Sequence, residues 1–430
     1  MTKIHKVRNL SLLLVFCLLA AWAQAQDTTY ARAILMKLGS PEFSGRGYID
    51  GGIDSAANFL ATEFEKIGLS PIEDSYFQEF EVEVNNIETA KLSLNGISLV
   101  PGKDFILDIH CKDIQGKFKC LVLDEKTRTN DKKLAKLNKK AKGKVLILNR
   151  YMAPDKETQN WYDYIAYYNP YDAAGAVILD SNGFVFSVAK YSELKDYFIA
   201  RLAPNAFPQK KVKTANIDIN STYIPDYKVN NVIGYLQGQE YPDSFIVISA
   251  HYDHVGKMDE AIFPGGNDNA SGIAMMLDLA KKIKESRFRP RYSLVFMAFA
   301  SEEIGLKGST YFAENPWFDL NKIRFLINLD MVGTGSDGIT VVNAGKFKTE
   351  YNLMNEINEK EGYLKQVKKR GESCNSDHCP FYQKGVPAIF IYTMGNEYLE
   401  YHTIGDQPER VPLTKYEGLF HLLEDFIYAL

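Results

Sequence analysis

Three short apolar runs each end in residues able to bind a metal. Phe245 to Ala250 leads into His251-Tyr252-Asp253, Ser293 to Ala300 into Ser301-Glu302-Glu303, and Phe325 to Leu329 into Asp330. Between the first two, Gly265-Gly266-Asn267-Asp268-Asn269 precedes a helical pattern. Each residue alone also fits an ordinary role. His251 fits a hydrogen-bonded structural histidine, Asp268 a helix N-cap, Glu302-Glu303 a helix start favoured by the dipole, and Asp330 a turn. Their recurrence at consecutive strand ends favours a joint role. Imidazole combined with carboxylate suits a borderline divalent ion such as zinc. Converging carboxylates repel one another unless a cation intervenes, and these segments hold few Lys or Arg. Two metals about 3.5–4 Å apart can share one carboxylate and one water.

The elements that must position these residues alternate in type. From Asn230 onward, the runs just named, with Thr340 to Asn343 and Ala388 to Tyr392, read as strands. Helical patterns at Ala270 to Glu285, Glu350 to Glu361 and Tyr416 to Tyr428 separate or follow them. Such alternation predicts an α/β fold, its mixed, mostly parallel central sheet flanked by helices. Sites in such sheets form at the carboxyl ends of strands. Upstream, Ser55 to Ile67 sets Ala56, Phe59, Leu60, Phe64 and Ile67 on one helical face, after a loop holding Gly45, Gly47, Gly51 and Gly52. Between the two parts, residues 96–225 read as an inserted, β-rich domain. There Asp104 to Asp124 suggests a hairpin around Ile114-Gln115-Gly116-Lys117. Lys144 to Asn149 reads as a strand, Tyr171 to Gly175 as a helix end, and Ala176 to Leu179 as the strand after it. Lys132 to Lys144 reads as a solvated helix face. The main α/β domain would then comprise 26–95 and 226–430.

Composition narrows the class. The chain has 430 residues, 46% hydrophobic, with 50 Lys+Arg against 54 Asp+Glu and a formal net charge of −4. That balance gives no electrostatic case for a nucleic-acid partner. Lys3, Lys6 and Arg8, the apolar run Leu10 to Ala21 and Ala23-Gln24-Ala25 together read as a signal peptide over residues 1–25. Export to the periplasm or the extracellular space follows as an expectation. No later run of 18 apolar residues suggests stable membrane insertion. Export permits disulfides. Past Cys17 stand Cys111, Cys120, Cys374 and Cys379. Four cysteines allow three pairings, and the near neighbours, Cys374–Cys379 and Cys111–Cys120, are the expected ones.

With these residues in place, the chain resembles the M28 family of zinc peptidases. The matching pieces are VISAHYDHVG (Val247 to Gly256), GGNDNASG (Gly265 to Gly272), FASEEIGLKGS (Phe299 to Ser309), NLDMVG (Asn328 to Gly333), SDHCPF (Ser376 to Phe381) and YHTIGDQPE (Tyr401 to Glu409). The opening segment Ser44 to Leu69 resembles the family's as well. The resemblance implies two zinc ions per chain. His251 and Asp330 would hold one, Glu303 and His402 the other, and Asp268 both. It further implies Glu302 as general base, Asp253 as the carboxylate fixing the His251 tautomer, and Tyr401 as a donor to the developing oxyanion. His254 and His378 lie in matched motifs but are read as structural. GKVLILNR (Gly143 to Arg150) and DAAGAVILDSNG (Asp172 to Gly183) resemble a protease-associated domain.

The activity so implied is hydrolysis of peptide substrates by an aminopeptidase. Carboxypeptidases and single-zinc glutaminyl cyclases share the scaffold, as do non-catalytic binding proteins that have lost ligands. The full ligand set argues against the last two. Asn375 stands where several relatives carry Arg, and few cations lie near the motifs, which disfavours capture of a terminal carboxylate. Oligomeric state is not legible.

Overall fold

A computed structural model describes residues 28–180, 185–188, 193–208 and 211–430. The expected signal peptide lies outside the described residues. The architecture is mixed α/β, built on a sheet of 14 strands. At its centre Ala388–Met394, Ile323–Leu329, Tyr241–His251 and Tyr292–Phe299 lie side by side, all parallel. Past the exposed start of Tyr241–His251, they are largely apolar and buried, as strands covered on both faces must be. Gly338–Val342 joins antiparallel beyond Ala388–Met394, and Val367–Lys369 closes that edge.

One face of the sheet is covered by Ser271–Glu285, in which Ile273, Ala274, Met276, Leu277, Ala280 and Ile283 are among the buried residues. Thr28–Leu38 and Tyr416–Ala429 pack against that helix. Burying each large apolar side chain contributes about 1.5–3 kcal/mol, so this layer rigidly carries the loops at the sheet edge. The helix predicted from Ser55 spans Gly52–Ile67 and ends at Gly68, whose φ of 81° closes the last turn as glycine does most readily. The glycines before it serve a close approach. A Cβ on Gly45 would meet the Gly256 carbonyl at 2.3 Å, so the two loops pack backbone to backbone.

The insertion does not form a separate sheet. Phe77–Leu94 pairs antiparallel with the long strand Thr214–Leu236 over nearly its whole length. The far end of that strand meets Tyr292–Phe299, and its near end meets Ile114–Leu123. Thr214–Leu236 therefore runs through the expected boundary at 225/226 without a break. Beyond it lie Ile114–Leu123, Val145–Leu148, Gly175–Leu179 and Phe198–Leu202, successively parallel. With the helix Lys156–Tyr168 beside them, the region is α/β in character rather than simply β-rich.

Three local expectations fail here. Phe105–Leu107 pairs with Phe198–Leu202 and Ile114–Leu123 with other distant strands, so Asp104 to Asp124 makes no hairpin. Local turn chemistry was outweighed by partners remote in sequence. Cys111 and Cys120 consequently stay free, whereas Cys374–Cys379 forms a disulfide with Cα atoms 4.9 Å apart. The helix expected to end over Tyr171 to Gly175 stops at Tyr168, capped by Asn169 in the left-handed conformation. The lysine-rich stretch forms two short helices, Asp131–Leu134 and Leu137–Ala141, that bury Leu137 and Ala141 and expose the lysines.

Candidate metal centre

The carboxyl ends of the central strands deliver the site. His251 closes Tyr241–His251, Asp330 follows Ile323–Leu329, and Glu302-Glu303 follows Tyr292–Phe299. Asp268 enters from the loop before Ser271–Glu285, and His402 from the loop after Ala388–Met394. His251 Nε2 lies 3.4 Å from Asp268 Oδ1 and 3.4 Å from Asp330 Oδ1. His402 Nε2 lies 3.1 Å from Asp268 Oδ2 and 3.0 Å from Glu303 Oε2. The two oxygens of Asp268 thus face different imidazoles. Two compact donor groups result, His251–Asp268–Asp330 and His254–Asp268–Glu303–His402, with the donor atoms of each within 4.8 Å of one another. A third such group joins His251, Glu302 and Glu303.

The electrostatics call for a cation. Burial works against charging either imidazole. Even so, Asp330 and Glu302 push His251 well up, and Glu303 and Asp268 push His402 to about 11. Burial likewise works against charge on Glu303, yet His402 beside it brings that carboxyl down to about 2. A proton on each imidazole is the substitute when no metal answers the carboxylates. His402 Nε2 is also buried and, despite its two near oxygens, has no aligned hydrogen-bond partner among the described residues. With that proton displaced, a nitrogen lone pair facing carboxylate oxygens would make the donor set of a zinc site. The residues present therefore fit zinc.

Supporting contacts hold the donors in place. Ser376 Oγ donates to Asp330 Oδ2 at 2.7 Å and accepts from Asn328, which in turn accepts from Ser249. The Asp253 carboxylate accepts the backbone N–H groups of Glu302 at 3.0 Å and Glu303 at 3.2 Å. It stands 3.7 Å from His251 Nδ1, outside hydrogen-bonding range. The Asp253 backbone carbonyl, at 3.2 Å, is the partner of that nitrogen. The expected tautomer-fixing role thus falls to the Asp253 main chain, while its carboxylate fixes the Glu302-Glu303 turn. Tyr401 stacks on His402 with ring centroids 3.9 Å apart and is 44% exposed, so its ring borders the site from the solvent side.

Several participants were not singled out from sequence. His254, read as structural, places Nδ1 2.8 Å from Glu303 Oε1 inside the second donor group. His378 does behave structurally, with Nε2 2.8 Å from the Ser373 carbonyl. Asp406 accepts the backbone N–H of Asn267 and of Asp268 at 2.8 and 3.1 Å. Arg46 is fully buried and donates to the carbonyls of Leu38, Tyr252, Pro264, Gly265 and Asp268. It ties the opening segment to the loop carrying Asp268. Ser301, Met331 and His402 have φ of 62°, 61° and 50°. Non-glycine residues held left-handed concentrate at functional sites because surrounding contacts must enforce them.

Residues 231–427 match the family model described as Peptidase family M28. Aminopeptidase YwaD of Bacillus subtilis (strain 168) is 30% identical over 209 residues, 46% of this chain and 44% of that protein. A probable glutamate carboxypeptidase VP8 of Zea mays is 28% identical over 210 residues, 44% of this chain and 28% of that protein. The chain thus spans less than half the length of these curated relatives. Among solved structures, BSAP, a zinc aminopeptidase from Bacillus subtilis, superposes with a TM-score of 0.68 at 17% identity, covering 94% of each chain. The chain therefore has the α/β fold seen in that aminopeptidase, insertion included.

Proposed function

We propose that this protein is an M28 peptidase that holds two zinc ions and removes amino-terminal residues from peptides. The observation that carries the reading is Asp268, whose two carboxylate oxygens face the separate donor atoms of His251 and His402. His251 and Asp330 would hold one ion, and Glu303 and His402 the other, with His254 close to the second. When bound, the ions supply Lewis acidity toward the scissile carbonyl and an acidified water. Glu302 groups with His251 and Glu303, one residue from each donor group, and its burial, reinforced by Glu303 and Asp330, raises its carboxyl well above the usual range. Such a carboxyl can take a proton and return it to a leaving amine. The Asp253 clamp on the Glu302 main chain keeps that carboxyl oriented. Tyr401 is proposed as a donor to the oxyanion from the open side of the cleft.

Direction of cleavage follows from charge. A free amino terminus is an ammonium group, and the cleft offers it Glu302, Asp330 and their neighbours. A terminal carboxylate would need a guanidinium or ammonium clamp, but position 375 is Asn and Arg370 is directed to Tyr392. We further propose export through residues 1–25, and that the insertion corresponds to a protease-associated domain bordering the cleft. The test is a matched pair of peptides, one amino-acetylated and one carboxyl-amidated. Release of free amino acids from the amidated peptide alone is expected. Fast cleavage of the acetylated peptide from its carboxyl end would replace this reading with a carboxypeptidase one.

A further inference from the structure

We infer that Phe186, from the insertion, is a positioning residue for one metal and not the other. The inference rests on the two-zinc reading above. Phe186 and His402 are 216 positions apart and exchange two hydrogen bonds. The His402 Nδ1–H donates to the Phe186 carbonyl at 2.9 Å, and the Phe186 N–H donates to the His402 carbonyl at 3.0 Å. A carbonyl only accepts, so Nδ1 carries the hydrogen and the neutral ring keeps its lone pair on Nε2. Nε2 is the atom that faces Asp268 and Glu303. The same pair of bonds pins a ligand whose backbone sits at a left-handed φ of 50°.

The Phe186 side chain fixes that carbonyl. It is 1% exposed and stacks on Phe263, with centroids 4.8 Å apart and planes 20° from parallel. Phe263 is itself fully buried in the loop between His254 and Asp268. The contrast with His251 defines the specificity. The Nδ1 of His251 meets a carbonyl two residues along its own loop, so that ligand needs nothing from the insertion. The Nδ1 of His402 meets the insertion. The insertion thus supports the Glu303/His402 ion selectively.

The experiment measures two zinc dissociation constants by chelator competition, in the full chain and in Phe186→Ala and Phe263→Leu. The latter keeps apolar volume and serves where the former folds poorly. Loss of a partner that orients a ligand weakens metal binding by about 10–100-fold. That loss is expected for one ion in Phe186→Ala, with a smaller loss in Phe263→Leu and the other ion unchanged. Ile165→Ala, in a separate apolar cluster of the insertion, should lower melting temperature and leave both constants alone. Folded variants whose two constants stay within about twofold of the parent would overturn the inference. Equal weakening of both ions would overturn it as well, since that signals general loosening. A parent protein that binds no zinc would instead overturn the two-zinc reading itself.

Discussion

The two halves of the continuous sheet share a design and diverge at one point. Each presents adjacent parallel strands whose carboxyl ends carry acidic residues. In the insertion, Val145–Leu148 and Gly175–Leu179 end near Arg150 and Asp180. There Arg150 answers the strand-end Asp180 at 3.4 Å and, from the helix Lys156–Tyr168, Asp163 at 2.9 Å. In the core the acids at the strand ends meet imidazoles and one another. A guanidinium does not lose its proton at ordinary pH, so the insertion's edge carries its own counter-charge and is electrostatically closed. The core's edge keeps a demand for positive charge. What separates a structural strand edge from a reactive one here is the counter-charge, not the topology.

The largest expected effects test the reactive edge. Glu302→Gln should keep zinc while the turnover rate falls by about 10²–10⁴-fold. Glu303→Gln should lose metal, as read by elemental analysis beside steady-state kinetics. Like behaviour of the two variants would erase the distinction between proton carrier and ligand. Zinc analysis of the parent should give two ions per chain, and exhaustive chelation should abolish activity until zinc is restored.

The next effect concerns His378. Burial lowers its imidazole from 6.5 to about 4. The unfolded chain then binds the proton first, so the neutral ring's contribution is intact above about pH 6.5 and is lost as pH falls toward 4. At 1.36 kcal/mol per unit the full loss is on the order of 3 kcal/mol. Denaturation of the parent and His378→Asn should diverge across that window, with the parent losing more.

At the closed edge, Arg150→Met should cost about 1–3 kcal/mol by removing the bonds from its guanidinium to Asp163 and Asp180, seen in melting temperature. Activity per folded molecule should hold. A large change in kcat would break the contrast between the two edges. Cys120→Ser should change stability least, within about 0.5 kcal/mol. Thiol titration under denaturant should find Cys111 and Cys120 reactive.

Sequence reached the reactive edge because its chemistry is compact. His251 and Asp253 stand one residue apart, Glu302 and Glu303 adjoin, and each set follows a plainly apolar run. The supporting groups were hidden by distance. Arg46 works through main-chain carbonyls some two hundred residues away, and Phe186 offers a carbonyl that any residue type possesses. His254 was set aside because its ring gains a partner only when Glu303 arrives from another strand. The hairpin misreading has the same origin. Local residues advertise a turn, but strand pairing is decided by which distant segment buries the apolar face.

The ribbon of Phe77–Leu94 and Thr214–Leu236 has a consequence in time. Its first strand precedes the insertion and its second follows it, so neither can find its register until the intervening chain exists. The core fed by that ribbon needs Thr28–Leu38 and Tyr416–Ala429 against the same helix, bringing together the first and last described elements. Chains dominated by such remote pairings fold slowly. Growing from its amino end, this one can gather the insertion's own cluster early but not the interior of the main core. Folding of the core is therefore a late event, completed only after Tyr416–Ala429 is made.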